Sequence, residues 1–230
     1  MCWSPTADLI AGSAVILLGV VSVSSTRRPR DLPLAALPVV LGVHQLIESL
    51  VWRSSDGEIG AGIGHVATIL WVVIAYPLLP AFVPLAVLAT AGRGARMRQL
   101  PFTVIGLVTS AVLAYDMASG PVSAEAVGHT MRYGVHVPYD DALVAAYLVA
   151  TIGALLVSDQ QEIRTLGVVI AAGALVCFVL WQAEFVSTWC ALAAVTSVIV
   201  LHWSRRPVGV VGQSPDSARR RPAPARSRLR

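Results

Sequence analysis

Long apolar runs, broken by short stretches rich in Arg, Pro, Ser and Gly, set the pattern of this chain. Seven such runs lie at roughly 8–25, 33–52, 62–90, 101–117, 142–158, 165–182 and 185–203. They lie near the ~20 residues that a helix needs to cross the hydrocarbon of a bilayer. The pattern predicts an all-α polytopic membrane protein: a seven-transmembrane-helix bundle over residues 1–204, then a disordered Arg/Pro-rich tail over 205–230. Ser4-Pro5 reads as an N-cap followed by Pro at the first helical position, so the first helix is expected to begin there. The opening MCWSPTAD lacks the basic segment of a cleaved leader. Pro77, Pro80 and Pro84 are expected to kink the third run or end it early.

Composition agrees with the runs. Apolar residues make up 56% of the chain and charged ones only 13%, which excludes an ordinary soluble domain. All 17 basic residues are Arg, and their placement orients the bundle. Arg27, Arg28, Arg30, Arg93, Arg96, Arg98, Arg164 and the eight from Arg205 to Arg230 share one side, 15 of the 17. Arg53 and Arg132 alone fall on the other. The positive-inside rule then puts the N-terminus outside and the C-terminus in the cytoplasm, as in a multi-pass protein of a bacterial inner membrane. The basic tail is expected to meet anionic headgroups, with no nucleic-acid partner.

Against this apolar background the polar residues stand out. The second run, LPLAALPVVLGVHQLIESLVWR, carries His44, Gln45 and Glu48. A carboxylate in hydrocarbon is costly, so it is a functional hypothesis by default. His44, Glu48 and Trp52 recur every fourth position and share one helical face. The plain alternative is an interhelical hydrogen bond with Glu48 as glue. A second dense patch, WQAEFVSTWCALAAV, brings Trp181, Glu184, Trp189 and Cys190 to the same outer layer, with Cys2 and Trp3. Cys2 and Cys190 share that side, but spacing alone does not establish a disulfide. Asp8 reads as a first-turn carboxylate that suits the helix dipole. The longest outer connection, from Met117 to Asp141, holds His129, Tyr133, His136 and Tyr139 and is expected to fold over the outer mouth as a lid.

These residues carry a resemblance. MCWSPTADLIAG, LPLAALPVVLGVHQLIESLVW, PAFVPLAVL and EFVSTWCALAAV are similar to a family of small bacterial seven-helix membrane proteins. Its members open Met-Cys-aromatic-Ser and carry HQ/QQ-L-I-E-x-x-x-W in the second helix. The resemblance spans nearly everything but the tail and implies an architecture rather than a reaction. In plan, though not by motif, the chain also resembles the integral-membrane terpene cyclases of meroterpenoid and indole-sesquiterpenoid pathways. That likeness implies intramembrane carboxylates that protonate the substrate, with Glu48 and Glu184 in matching places.

The chemistry can be argued from the residues themselves. A prenylated small molecule partitions into a bundle open to the bilayer. Cyclisation begun by protonating an alkene or epoxide needs an acid in a dry cavity, and desolvation keeps a carboxyl protonated near neutral pH. Glu48 is the expected acid and His44 its relay or hydrogen-bond partner; Glu184 is expected to take the terminal proton. Trp3, Trp52, Trp71, Tyr76, Trp181 and Trp189 offer electron-rich faces to a carbocation. Ionising a diphosphate would need Mg²⁺ on clustered Asp residues, and Asp140-Asp141 is too small a set, so no metal or cofactor is expected. The rival readings are a non-catalytic structural or assembly protein, and an intramembrane redox or hydrolytic enzyme using His and Cys. A haem protein would draw on His44 and His65, the two His well inside the runs.

Overall fold

A computed structural model of the chain describes residues 4–128, 130–135, 140–180 and 185–206, without the side chains at 130, 140, 177–180 and 185–191. The chain is mostly helical. In order the helices are α1 (Pro5–Ser25), the four-residue α2 (Leu32–Ala35), α3 (Leu37–Ser55), α4 (Ala61–Val73), α5 (Leu79–Thr90), α6 (Arg93–Ser119), α7 (Asp140–Leu148), α8 (Ala154–Leu156), α9 (Gln161–Leu180) and α10 (Phe185–Ser204). Among the described residues, four helical stretches are long and apolar enough to cross a membrane: Pro5–Ser25, Pro29–Ser55, Ala61–Thr90 and Arg93–Ser119. Asp141–Leu156 and Leu192–Ser204 are shorter apolar helices.

The first helix starts where its sequence says it should. Ser4 Oγ accepts a hydrogen bond from the Ala7 N–H at 3.2 Å, with Pro5 just inside the helix. Its buried residues are Asp8, Gly12, Val15, Gly19 and Ser22, a seam stepping by four and three. Leu9, Ile10, Leu17, Val20 and Val21 point outward and are exposed. Small and polar groups inside with branched apolar groups outside invert the order of a water-soluble protein. Lipid is as apolar as Leu, so in a bilayer close backbone packing, not apolar burial, decides the inner face. The α1 seam lies on α3, where a Cβ at Gly42 would stand 2.7 Å from the Gly12 carbonyl oxygen.

The third run does not end at its prolines. A π turn, Ile74–Leu78, carries the helix past Pro77 and joins α4 to α5. The disturbed carbonyls find side-chain donors: Tyr147 Oη donates to Ala75 O at 2.9 Å, and Ser110 Oγ to Pro77 O at 2.6 Å. In hydrocarbon such replacement is required, because no water is there to satisfy the backbone. A second π turn, Val149–Gly153, interrupts the α7–α8 stretch.

One part of the chain departs from the all-α expectation. The connection after α6 contains β1 (Val122–Val127) and β2 (Thr130–Val135), paired antiparallel with Val127 opposite Thr130. Gly128, at φ +61°, supplies the left-handed conformation that the tight turn needs. Met131 and Tyr133, two apart on β2, point to the same face and pack on the helices, while Arg132 between them is exposed.

Buried residues gather in two places. The larger core joins Leu34, Leu37, Leu79, Val83, Leu155, Ile163, Leu166, Val200 and Trp203 at the end where α2 lies. Gln160 ties that end together, donating to Thr90 O at 3.2 Å and accepting from Trp203 Nε1 at 2.7 Å. Beside it Arg206 forms an ion pair with Glu162. The smaller cluster is Val51, Trp52, Ala67 and Met131, where the hairpin meets α3 and α4.

Candidate functional site

The site lies beside that smaller cluster. Glu48 on α3 is fully buried, and its Oε2 accepts a hydrogen bond from the Trp71 indole N–H on α4 at 3.2 Å. His44, one turn earlier on α3, sets its ring 4.6 Å from that of Trp71, tilted by 32°. Tyr133 reaches in from β2 and stacks on Trp71, with ring centroids 3.5 Å apart and planes 5° from parallel. Trp71 therefore joins three elements, α3, α4 and the hairpin, at a single ring. Trp52, one turn beyond Glu48, is buried in the Met131 cluster. The spacing of positions 44, 48 and 52 thus puts His44 and Trp52 one turn to either side of Glu48, and α4 adds the Trp71 indole.

Asp8 has a setting that the helix dipole alone does not describe. It sits in the first turn of α1, as expected, and its side chain lies on the buried seam of that helix. It is fully buried, and neither carboxyl oxygen has a hydrogen-bond partner among the described residues. Two contacts fix its level against α3. Ser49 Oγ donates to Pro5 O at 2.8 Å on one side. On the other, a Cβ at Gly12 would meet Gly42 O at 2.8 Å and Gln45 Cβ at 3.1 Å. The antiparallel register between these points brings Asp8 to the turn that carries Glu48, and the two carboxyls interact electrostatically. Gln45, on the same turn of α3, is also buried.

The other expected residues fall elsewhere. Tyr76 lies in the π turn, within electrostatic reach of Tyr147. His65 is on an exposed face of α4, so it is not set opposite His44 as a second axial ligand would be. Trp3, Trp181, Glu184 and Cys2 lie outside the described residues, as do the side chains of Trp189, Cys177 and Cys190. His129, His136 and Tyr139 lie outside them too. Among the described residues no three His, Cys, Asp or Glu side chains are grouped to hold a metal ion.

Asp8, Gln45, Met131 and Tyr133 complete the cluster; the sequence marks Gln45 as a polar residue of the second run and Tyr133 as part of the connection over the outer mouth, without bringing either to Glu48. Asp8 had a signal, its register with Gly12 and Gly19 on the seam of small residues. The hairpin had one also, in the alternation of V-S-A-E-A-V and T-M-R-Y-G-V around Gly128. Chemically, the cluster is a pair of carboxyls buried away from solvent, one of them, Glu48, bonded to an indole that itself meets two further rings.

Comparison with known proteins adds a family but no reaction. No curated protein matches the chain, and no solved structure does. A chain of this pattern, with its first 214 residues covered by a single family model, belongs to the family described as "Family of unknown function (DUF6629)".

Proposed function

We propose that the chain is a membrane-embedded terpene cyclase, which begins an acid-initiated, metal-independent cyclisation by protonating an alkene or epoxide of a prenylated small molecule. The observation that carries the reading is the setting of Glu48. Its carboxyl is fully buried and accepts a hydrogen bond from the Trp71 indole, whose ring meets those of His44 and Tyr133. A carboxyl in such a place keeps its proton until a substrate takes it. Electron-rich rings at the same spot stabilise the cation that results. Glu48 is the proposed acid and His44 the group that orients it or returns its proton. Trp52 and Trp71 are the proposed walls for the prenyl chain, with Tyr76, Trp3, Trp181 and Trp189 further along it. Glu184 is the proposed terminal base.

The finer topology belongs to the same proposal. The bundle has seven spans, the N-terminus lies outside, and the tail lies in the cytoplasm of a bacterial cell against anionic lipid. The distribution of arginines supports this orientation.

A second reading has its own support. The Trp71–Glu48 bond and the Ser49–Pro5 bond both tie helices together, as they would in a purely structural protein. Co-expression separates the two. Cells supplying linear farnesylated or geranylgeranylated acceptors are expected to yield isomers of unchanged mass when the wild type is present. Glu48→Gln is expected to insert and fold but give none. If the wild type leaves every such substrate intact, the cyclase reading fails and the structural one stands.

A further inference from the structure

We propose that Asp8 is a protonated positioning residue for Glu48, so that the two carboxyls form one neutral acid across the α1–α3 interface. The inference rests on the reading of Glu48 as the proton donor. Four observations carry it. Both side chains are fully buried. The Ser49–Pro5 bond and the Gly12–Gly42 approach set them at one level on facing helices. Neither oxygen of Asp8 meets a donor among the described residues. Arg53, the arginine of α3, is turned away to Glu58, 3.8 Å from its carboxylate, and both are substantially exposed.

Two ionised carboxylates at one buried level would be doubly costly, first for leaving water and again for repelling each other. Two protonated ones carry no charge. When Glu48 acts, its O–H bond breaks as the π electrons of an alkene form a new C–H bond, or as an epoxide oxygen takes the proton and its C–O bond opens. The substrate becomes a cation and Glu48 a carboxylate. The Asp8 O–H stays intact, so the site holds one negative charge, never two. Trp71 N–H and the proton-bearing Asp8 carboxyl both favour that carboxylate, which makes Glu48 a stronger acid than an isolated buried Glu. Deprotonation of the final cation returns one proton to the protein, so the cycle consumes neither protons nor electrons.

The first test needs no substitution. Infrared spectra of the full chain in lipid nanodiscs, with ¹³C in the Asp carboxyls, are expected to show a protonated-carboxyl band at neutral pH. That band moves with the label and disappears in Asp8→Asn. An Asp-labelled spectrum holding only ionised carboxylate overturns the proposal. The second test uses turnover. Asn is a neutral donor of nearly the same shape, so Asp8→Asn is expected to stay within about tenfold of wild type. Asp8→Val is expected to lose roughly a hundredfold, the scale of a lost acid–base contribution. Equal losses in both variants contradict a donor role for Asp8. If the band is present and no prenylated substrate turns over, the pair stands and the cyclase reading fails. If cyclisation proceeds without the band, the pair fails alone.

Discussion

Trp71 is the residue on which the site turns, because one ring serves Glu48, His44 and Tyr133 together. Trp71→Phe keeps an aromatic face but removes the donor to Glu48 Oε2. The buried acceptor then loses a bond worth about 1–3 kcal/mol, and thermal unfolding in detergent is expected to show a loss of that size. Replacing Tyr133 separates stacking from hydrogen bonding. Tyr133→Phe is expected to leave turnover within about twofold, while Tyr133→Ala, which strips an aromatic pair worth roughly 0.5–1.5 kcal/mol beyond its area, lowers it several-fold. A larger loss in Tyr133→Phe than in Tyr133→Ala contradicts the role given to the stack. Glu48 and His44 were legible in the sequence because polar residues stand out in an apolar spanning run. Asp8 was not, because a first-turn Asp has a ready one in the helix dipole. What hid its burial was the choice of partner: the dipole is local to α1, whereas the burial comes from packing on α3.

Among elements, the α1–α3 pair does most to build the site. Its close approach depends on Gly12 and Gly42, where an added Cβ on Gly42 would stand 2.6 Å from Ile16 Cγ1 and 2.7 Å from Gly12 O. One of those neighbours is backbone, so the helices must part. Gly42→Ala is expected to cost about 1–3 kcal/mol, the range for overpacking, and to lower turnover by separating Asp8 from Glu48. Circular dichroism melts and product yield check the two effects separately. The long helices were legible because apolar length alone reports them. The π turn at Pro77 was not: sequence marks a proline as a break, and the donors that rescue its neighbours, Ser110 and Tyr147, lie far along the chain. The hairpin was also missed. Its two six-residue strands carry small residues and few branched ones, a weak signal beside spanning helices.

For the whole molecule, the two buried clusters divide the labour. The larger one, with its Gln160 ties, holds the end near α2 and the arginine-rich turns. The smaller one seats the hairpin on α3 and α4, beside Glu48. The proposed orientation makes a direct prediction. In a background without native cysteines, a Cys at Gly57 is expected to react with an impermeant maleimide from outside intact cells, and one at Gly94 only after lysis. The reverse pattern overturns the orientation and leaves the site geometry untouched. The central claim, that Glu48 delivers a proton to an apolar substrate, is tested most directly in heavy water. Purified protein in nanodiscs, given in D₂O a linear prenylated acceptor whose terminal group is an alkene and not an epoxide, is expected to form a cyclised product carrying one deuterium at the carbon that starts the ring, and Glu48→Gln none. Product without deuterium, or labelled product from Glu48→Gln at the wild-type rate, contradicts the account.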